Sequence, residues 1–381
     1  MKKAKERKKT YSLLAFCFLC VIGILAGNSM QVQAEDLITE DGYHYRIVDN
    51  GTEDTSDDTV EITSYSGKLA NLVLPNEIDG KPVTSIGSFA ITNCGGITSI
   101  KIPKSVKNIG SNAFYNCYGL NSIEIPKGVE CIGAYAFRDC DNLKSVKISK
   151  GVKNIEEGAF YGCSTLKSIK IPEGVKSIED STFSYCSALK SVKIPNSVES
   201  IGANAFFWCG KLKSVNIPKN VKSIGACAFS GCNSLTSIEI PEGVQSIEDS
   251  TFSSCSALKS IKMPGNVKSI GDSAFLDCGA LKSITIPKKV ESIGENAFMK
   301  CRELTSVTIP KNVKSIGYAA FCECNKLKTI NIKTKKLNYV GEYAFLGISE
   351  NAKIKVPSAK LKYYKKLLKD KGQEATVRIV K

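Results

Sequence analysis

The sequence predicts a repeat solenoid, a stack of short parallel strands. Two residue columns carry that reading. Eleven cysteines recur every 23 residues, from Cys94 and Cys117 through to Cys301 and Cys324. Phenylalanine keeps the same period from Phe114 to Phe321, with Ile91 in the first slot and Phe345 one residue late. At so short a period each repeat is one supersecondary unit, and it buries its apolar side only by stacking on its neighbours. About eleven to twelve such repeats are expected over residues 72–347. Repetition supplies an extended surface rather than a unique cleft, which favours binding or display over catalysis.

The chain opens with six basic residues in 2–9, an apolar run from Tyr11 to Gly27, and Val32-Gln33-Ala34, a small-x-Ala cleavage pattern. Residues 1–34 therefore read as an export signal cleaved near Ala34, leaving a mature chain that begins at Glu35 and is secreted or held at the cell surface. The apolar run is short for a membrane span, and Phe18-Leu19 before Cys20 lacks the small residue of a lipoprotein signal. No later stretch is apolar for long enough to span, so no transmembrane segment is expected in the mature chain. Net charge is +15. The signal contributes six Lys/Arg and one Glu, so the remainder carries about +10 and favours acidic partners. Export directs those partners away from nucleic acid.

Residues 35–71 read as an N-terminal β cap. Glu35 to Glu61 holds ten acidic residues and one basic residue, Arg46. Tyr43–Val48 and Val60–Thr63 alternate as strands around the polar stretch Asp49–Asp58. A solenoid needs such a cap because an open end exposes unpaired strand edge.

Within a repeat, Leu143, Val146 and Ile148 give one short strand with inward residues. A following proline, as at Pro126, Pro172 or Pro195, ends it because proline cannot continue the ladder. Val152 and Ile155, three apart, suit either a tight turn or a second short extended segment. Ala159-Phe160 closes the apolar filling. Ile171–Leu189 and Ile240–Leu258 are near-identical three repeats apart, which indicates growth by copying a block. After Phe345 the pattern decays into a C-terminal capping segment, 348–381. There Leu361, Tyr364, Leu367 and Leu368 fall at helical spacing within Ser358–Lys371, ahead of a last strand at Ala375–Val380.

The string I-P-x-x-V-x-x-I-G-x-x-A-F-x-x-C-x-x-L, nearly verbatim at Ile217–Leu235, resembles the BspA-like, or Treponema-type, leucine-rich repeat family. The segment Leu74-Pro-Asn-Glu-Ile-Asp-Gly80 through Gly87 is similar to that family's first repeat with its five-residue insertion. The resemblance covers about Leu72 to Val356. It implies a right-handed leucine-rich-repeat stack with a parallel β-sheet on its concave face. It also implies an exported bacterial surface protein, adhesin-like in several relatives.

Between the inward strand residues, three columns are expected to face solvent on the concave side. The first is lysine at Lys144, Lys167, Lys190 and Lys213, and again at Lys259, Lys282 and Lys328. The second is serine, from Ser99 to Ser306. The third holds Lys101, Lys147, Lys170, Lys193 and Lys262, diluted by Glu124 and Glu239. The basic face densest at Lys144, Lys147, Lys167, Lys170, Lys190, Lys193 and Lys213 is the candidate site for an anionic glycan or wall polymer. Lysine rather than arginine suits diffuse attraction. A second candidate, for a host or cell-surface protein, is the aromatic loop set Tyr161, Tyr185, Phe207 and Trp208, since exposed tyrosine and tryptophan anchor protein contacts.

No catalytic role is expected. His44 is the single histidine, and no G-x-S-x-G, HExxH, phosphate-loop or EF-hand motif occurs. Cysteines one repeat apart put their β-carbons near about 4.8 Å, beyond the usual disulfide range. The column therefore reads as buried free thiols, and Cys131, Cys227 and Cys322 as incidental. No metal or other cofactor and a monomeric state complete the expectation. The function expected is that of an exported adhesin-like binding protein, or alternatively of a wall-associated structural protein held to anionic polymers by its basic face.

Overall fold

Most 23-residue coils lay down two short strands rather than one; the coil of Val215 lacks the first, and that of Ile284 keeps only a single bridge of it. The computed structural model describes residues 37–381; the expected export signal lies outside the described residues. The first strand of a coil is the Leu-x-x-Ile segment, such as Ser122–Ile125 and Ser145–Ile148. The second is the pair ending in the inward isoleucine, such as Asn154–Ile155 or Ser200–Ile201. The extended alternative for Val152–Ile155 is therefore the one adopted. Both sets stack in parallel at a 23-residue register, for example Ser168↔Ser191 and Ser200↔Ser223. They are called here the first and second ladders.

The stack has about fourteen turns, more than the eleven to twelve expected. Asn71–Val73 opens the first ladder at the expected start of the solenoid, and Lys353–Lys355 and Arg378–Val380 extend it past residue 347. The two C-terminal strands lack the Cys mark, although Pro357 still follows the first of them, and a ladder asks only for backbone pairing and one inward apolar residue, here Ile354 and Ile379.

The core is a set of continuous columns. Every column phenylalanine from Phe114 to Phe345 is fully buried. Neighbouring rings stack at 5.0 Å (Phe114–Phe137) to 6.0 Å (Phe321–Phe345). Burying each such side chain contributes roughly 1.5–3 kcal/mol, but only where coils lie on both sides. The cysteine column runs beside it. From Cys117 on, each thiol donates to a backbone carbonyl of the preceding coil: Cys140 Sγ to Phe114 O at 3.2 Å, Cys163 to Phe137 O at 3.1 Å, and so on to Cys324. The column therefore satisfies a carbonyl that would otherwise lie buried without a partner. Burial pushes the thiols of Cys140, Cys255 and Cys324 up to about 12, which suppresses the reactive thiolate.

At the N-terminal end, Tyr43–Val48 and Thr59–Tyr65 form an antiparallel hairpin. Its second strand, longer than the expected Val60–Thr63, continues in parallel into Lys81–Ile86. Arg46–Glu61 and Lys81–Asp58 ion pairs hold this junction at 2.9 and 3.0 Å. At the other end a one-turn 3-10 segment, Ser358–Lys360, leads into the helix Leu361–Leu367. Tyr364 and Leu368 are fully buried there, and the Tyr364 hydroxyl donates to Thr334 O at 2.7 Å. The last strand is shorter than expected, Arg378–Val380. No helix among the described residues is long and apolar enough to cross a membrane.

Candidate binding surfaces

The first ladder places the expected lysines on successive coils. Lys144, Lys167, Lys190 and Lys213 form one column, joined by amide-to-carbonyl contacts at 3.4, 2.9 and 3.4 Å. Lys170 lies opposite Lys193 in the next column. All seven side chains are exposed, but they are not equivalent. Lys147 pairs with Glu124 at 2.7 Å, and Lys144 donates to Asn121 Oδ1 at 3.3 Å. The ammonium groups of Lys167, Lys170, Lys190, Lys193 and Lys213 have no hydrogen-bond or ion-pair partner among the described residues. The seven-residue basic face thus contracts to a bare block of five. Two ion pairs bracket it along the stack, Glu124–Lys147 before it and Glu239–Lys262 after it. Like charges at strand spacing repel by about 1 kcal/mol per pair even in water.

The second ladder treats lysine differently. Lys153 pairs with Glu130 at 2.8 Å, Lys314 with Glu291 at 2.6 Å, and Lys222 with Glu199 at 2.7 Å, with Lys176 on the other side of Glu199 at 3.9 Å. The bonded lysine holds each of these glutamates below the ordinary carboxylate range. These pairs join residues 23 apart, and only the stack brings them together.

The aromatic loop set is one continuous run. Tyr161 meets Tyr185 at 5.4 Å, Tyr185 meets Phe207 at 5.4 Å, and Phe207 meets Trp208 at 6.3 Å, all edge-on. Tyr185 and Trp208 are 43% and 46% exposed, whereas Tyr161 and Phe207 are half-buried. Sequence reading missed the other end of the run. Tyr135 joins Tyr161 at 6.3 Å, and the Arg138 guanidinium lies over Tyr115, Tyr135 and Tyr161 at 5.5, 5.6 and 5.2 Å. The available signal was the position after each column phenylalanine, which holds Tyr115, Arg138, Tyr161, Ser184 and Phe207. At the serine coil the neighbouring Tyr185 fills the gap.

The position two after each column phenylalanine is left-handed in every coil, held elsewhere by Asn116, Asp139, Ser254, Asp277, Lys300, Glu323 or glycine. Tyr185 and Trp208 occupy it at φ of 60° and 56°. A non-glycine side chain there costs roughly 1–2 kcal/mol in any coil, so the conformation belongs to the repeat and the aromatic rings are what distinguish these two coils. Glycine makes room for the ring: a Cβ on Gly231 would lie 2.9 Å from the Trp208 indole.

The remaining chemistry-bearing residues stay dispersed. His44 sits in the N-terminal hairpin opposite Ile38 and Ser64. Cys131 reaches Glu156 at 3.5 Å. Among the described residues no three His, Cys, Asp or Glu side chains are grouped to hold a metal ion.

Comparison with known proteins follows from this geometry. The profile of the BspA type leucine-rich repeat region matches residues 63–190, 176–303 and 268–369, in six copies. The chain belongs to the BspA-type leucine-rich repeat family. Solved structures share the fold of this repeat protein. A leucine-rich cell surface protein from Faecalibacterium prausnitzii is 29% identical, with 83% of this chain and 96% of that chain covered and a TM-score of 0.54. A leucine-rich repeat protein from Bacteroides ovatus is 28% identical over 90% and 98% of the two chains, with a TM-score of 0.60. The pneumococcal vaccine antigen PcpA, at 19% identity over 91% and 98%, shares the fold with a TM-score of 0.53. No curated protein matches the sequence significantly.

Proposed function

We propose that this repeat protein is an exported, adhesin-like binding protein of the bacterial surface. In this reading it engages an acidic protein surface through coils 158–216. The observation that carries the reading is the exposed aromatic run, Tyr185 and Trp208 above all, on the same coils as the bare block Lys167–Lys213. Aromatic anchors supply binding energy from desolvated contact, and unpaired lysines supply steering toward an acidic partner. The similarity to a bacterial cell surface protein supports the location. A second reading, a wall-associated structural protein held by charge, is favoured by the five unpartnered lysines alone.

The test is binding of the purified chain to immobilised fibronectin, fibrinogen and bacterial wall at low and moderate salt, beside Trp208→Ala and Tyr185→Ala variants. The adhesin reading expects retention at moderate salt on a protein partner, weakened by about 10-fold or more in Trp208→Ala, as for a hot-spot residue. Binding to wall alone, lost at moderate salt and indifferent to both aromatic variants, would establish the charge-held role instead.

A further inference from the structure

Two adjoining grooves open near the C-terminal end of the first ladder, far along the stack from the aromatic run. The larger has a volume of about 640 Å³, with Ile284, Ile286 and Pro310 as an apolar floor and Lys288, Lys311 and Lys333 along it. The second, about 320 Å³, shares Lys333 and adds Lys335 and Lys355. No Asp or Glu side chain lines either one. None of these five ammonium groups has a hydrogen-bond or ion-pair partner among the described residues. The groove coincides with a lapse in the ladder. Only the bridge Ser283–Ser306 joins the coil of Thr285 to the next, whereas Ser306–Ile309 and Thr329–Ile332 pair along four residues.

We propose that this groove binds a linear anionic glycan. Lys288 and Lys311 stand in one column a strand spacing of about 4.8 Å apart, and Lys333, opposite Pro310 on the next coil, adds a third ammonium one position out of line, so charge from three successive coils borders the groove. A single small anion would leave most of that row unused, while a chain bearing regular sulfates or phosphates would occupy it. Lysine is a compact point charge that suits such groups without demanding bidentate geometry. Thr285, Thr308 and Asn312 place hydroxyl and amide groups beside the lysines for sugar hydroxyls. The isoleucine floor offers the apolar contact that ligand grooves commonly provide. The occupant is distinct from the protein partner proposed for coils 158–216, and either proposal can fail without the other.

The test is titration of the purified chain with heparin, with a phosphorylated mannan and with neutral dextran. Three variants accompany it: Lys288→Gln/Lys311→Gln/Lys333→Gln, Thr308→Glu, and the control Lys104→Gln/Lys127→Gln/Lys150→Gln, three exposed lysines outside both proposed surfaces. The proposal expects binding of at least one anionic glycan and none of dextran. It expects a fall of about 10-fold or more, with a shallower salt dependence, in the groove triple. Thr308→Glu should weaken binding likewise, and the control should change it less than about 2-fold. Unchanged thermal midpoints certify the fold of these surface variants. Binding of neither anionic glycan, or equal loss in the two triples, would overturn the proposal; the latter would reveal diffuse attraction to the whole basic chain.

Discussion

The two ladders of one stack handle the same residue in opposite ways. In the second ladder, Lys153, Lys222 and Lys314 each bond a glutamate one coil away. In the first, Lys167, Lys190 and Lys213 follow one another with nothing between them. Spacing, exposure and backbone are alike, so the stack does not forbid pairing. It even pairs within the first ladder, at Glu124–Lys147 and Glu239–Lys262, on either side of the bare block. The difference therefore lies in which residues stand there, and a surface that leaves like charges stacked forgoes the small stability that pairing would add.

The comparison breaks most completely if the shared core is damaged. Phe206→Ala would open a cavity beneath both ladders and cost about 3–5 kcal/mol. Chemical denaturation should show that loss, and both faces should fail together. Loss of one face alone would mean that the coils do not act as one stack.

Alkaline pH is the next largest effect. The thiols of Cys140 and Cys255 ionise near 9.0 when unperturbed, and burial raises them to about 12 in the stack. Their folded values are raised, so the neutral form is favoured by folding. That contribution is complete below pH 9 and drains away as pH climbs toward 12. Thermal midpoints in reductant should fall steeply across that window, by equal amounts for wild type and for Lys190→Gln. Unequal falls would tie the bare block to the core rather than to a partner.

Smaller still is the paired side. Glu199→Gln strips Lys176 and Lys222 of their shared partner and should lower the midpoint slightly, as exposed pairs are worth about 0–1 kcal/mol. Glu199 titrates below the ordinary carboxylate range. Its contribution is thus present above that range and lost as pH falls through its folded value, so variant and wild type should converge in acid. A gap that persists there would assign the effect to something other than the ion pair.

Much of this fold was legible in the sequence because each column buries one residue type at every turn. Phe137, Phe160 and Phe183 announce the period, and the intervening Leu and Ile announce the first ladder. The second ladder was less legible, since a two-residue strand such as Asn154–Ile155 has one inward side chain and no alternation to display. The last coils were fainter, since Ile354 and Ile379 pack inward without the Cys mark of the repeats before them. At the candidate surfaces, the lysine columns and the run from Tyr161 to Trp208 could be read directly. The neutralisation of Lys147 by Glu124 could not, and neither could the arrival of Arg138 over three tyrosines. Those contacts cross coils and depend on side-chain reach, which a column reading does not contain.

The most direct test of the central claim, that the bare block forgoes available stability, is the thermal midpoint of Lys190→Glu at low salt. A glutamate there should pair with Lys167 and Lys213 and raise the midpoint, whereas Lys222→Glu, set against Glu199, should lower it. The expected shifts have opposite signs and each corresponds to less than about 1 kcal/mol. A fall in Lys190→Glu like that in Lys222→Glu would contradict the claim, because the lysines would then be holding the stack together rather than waiting for a partner.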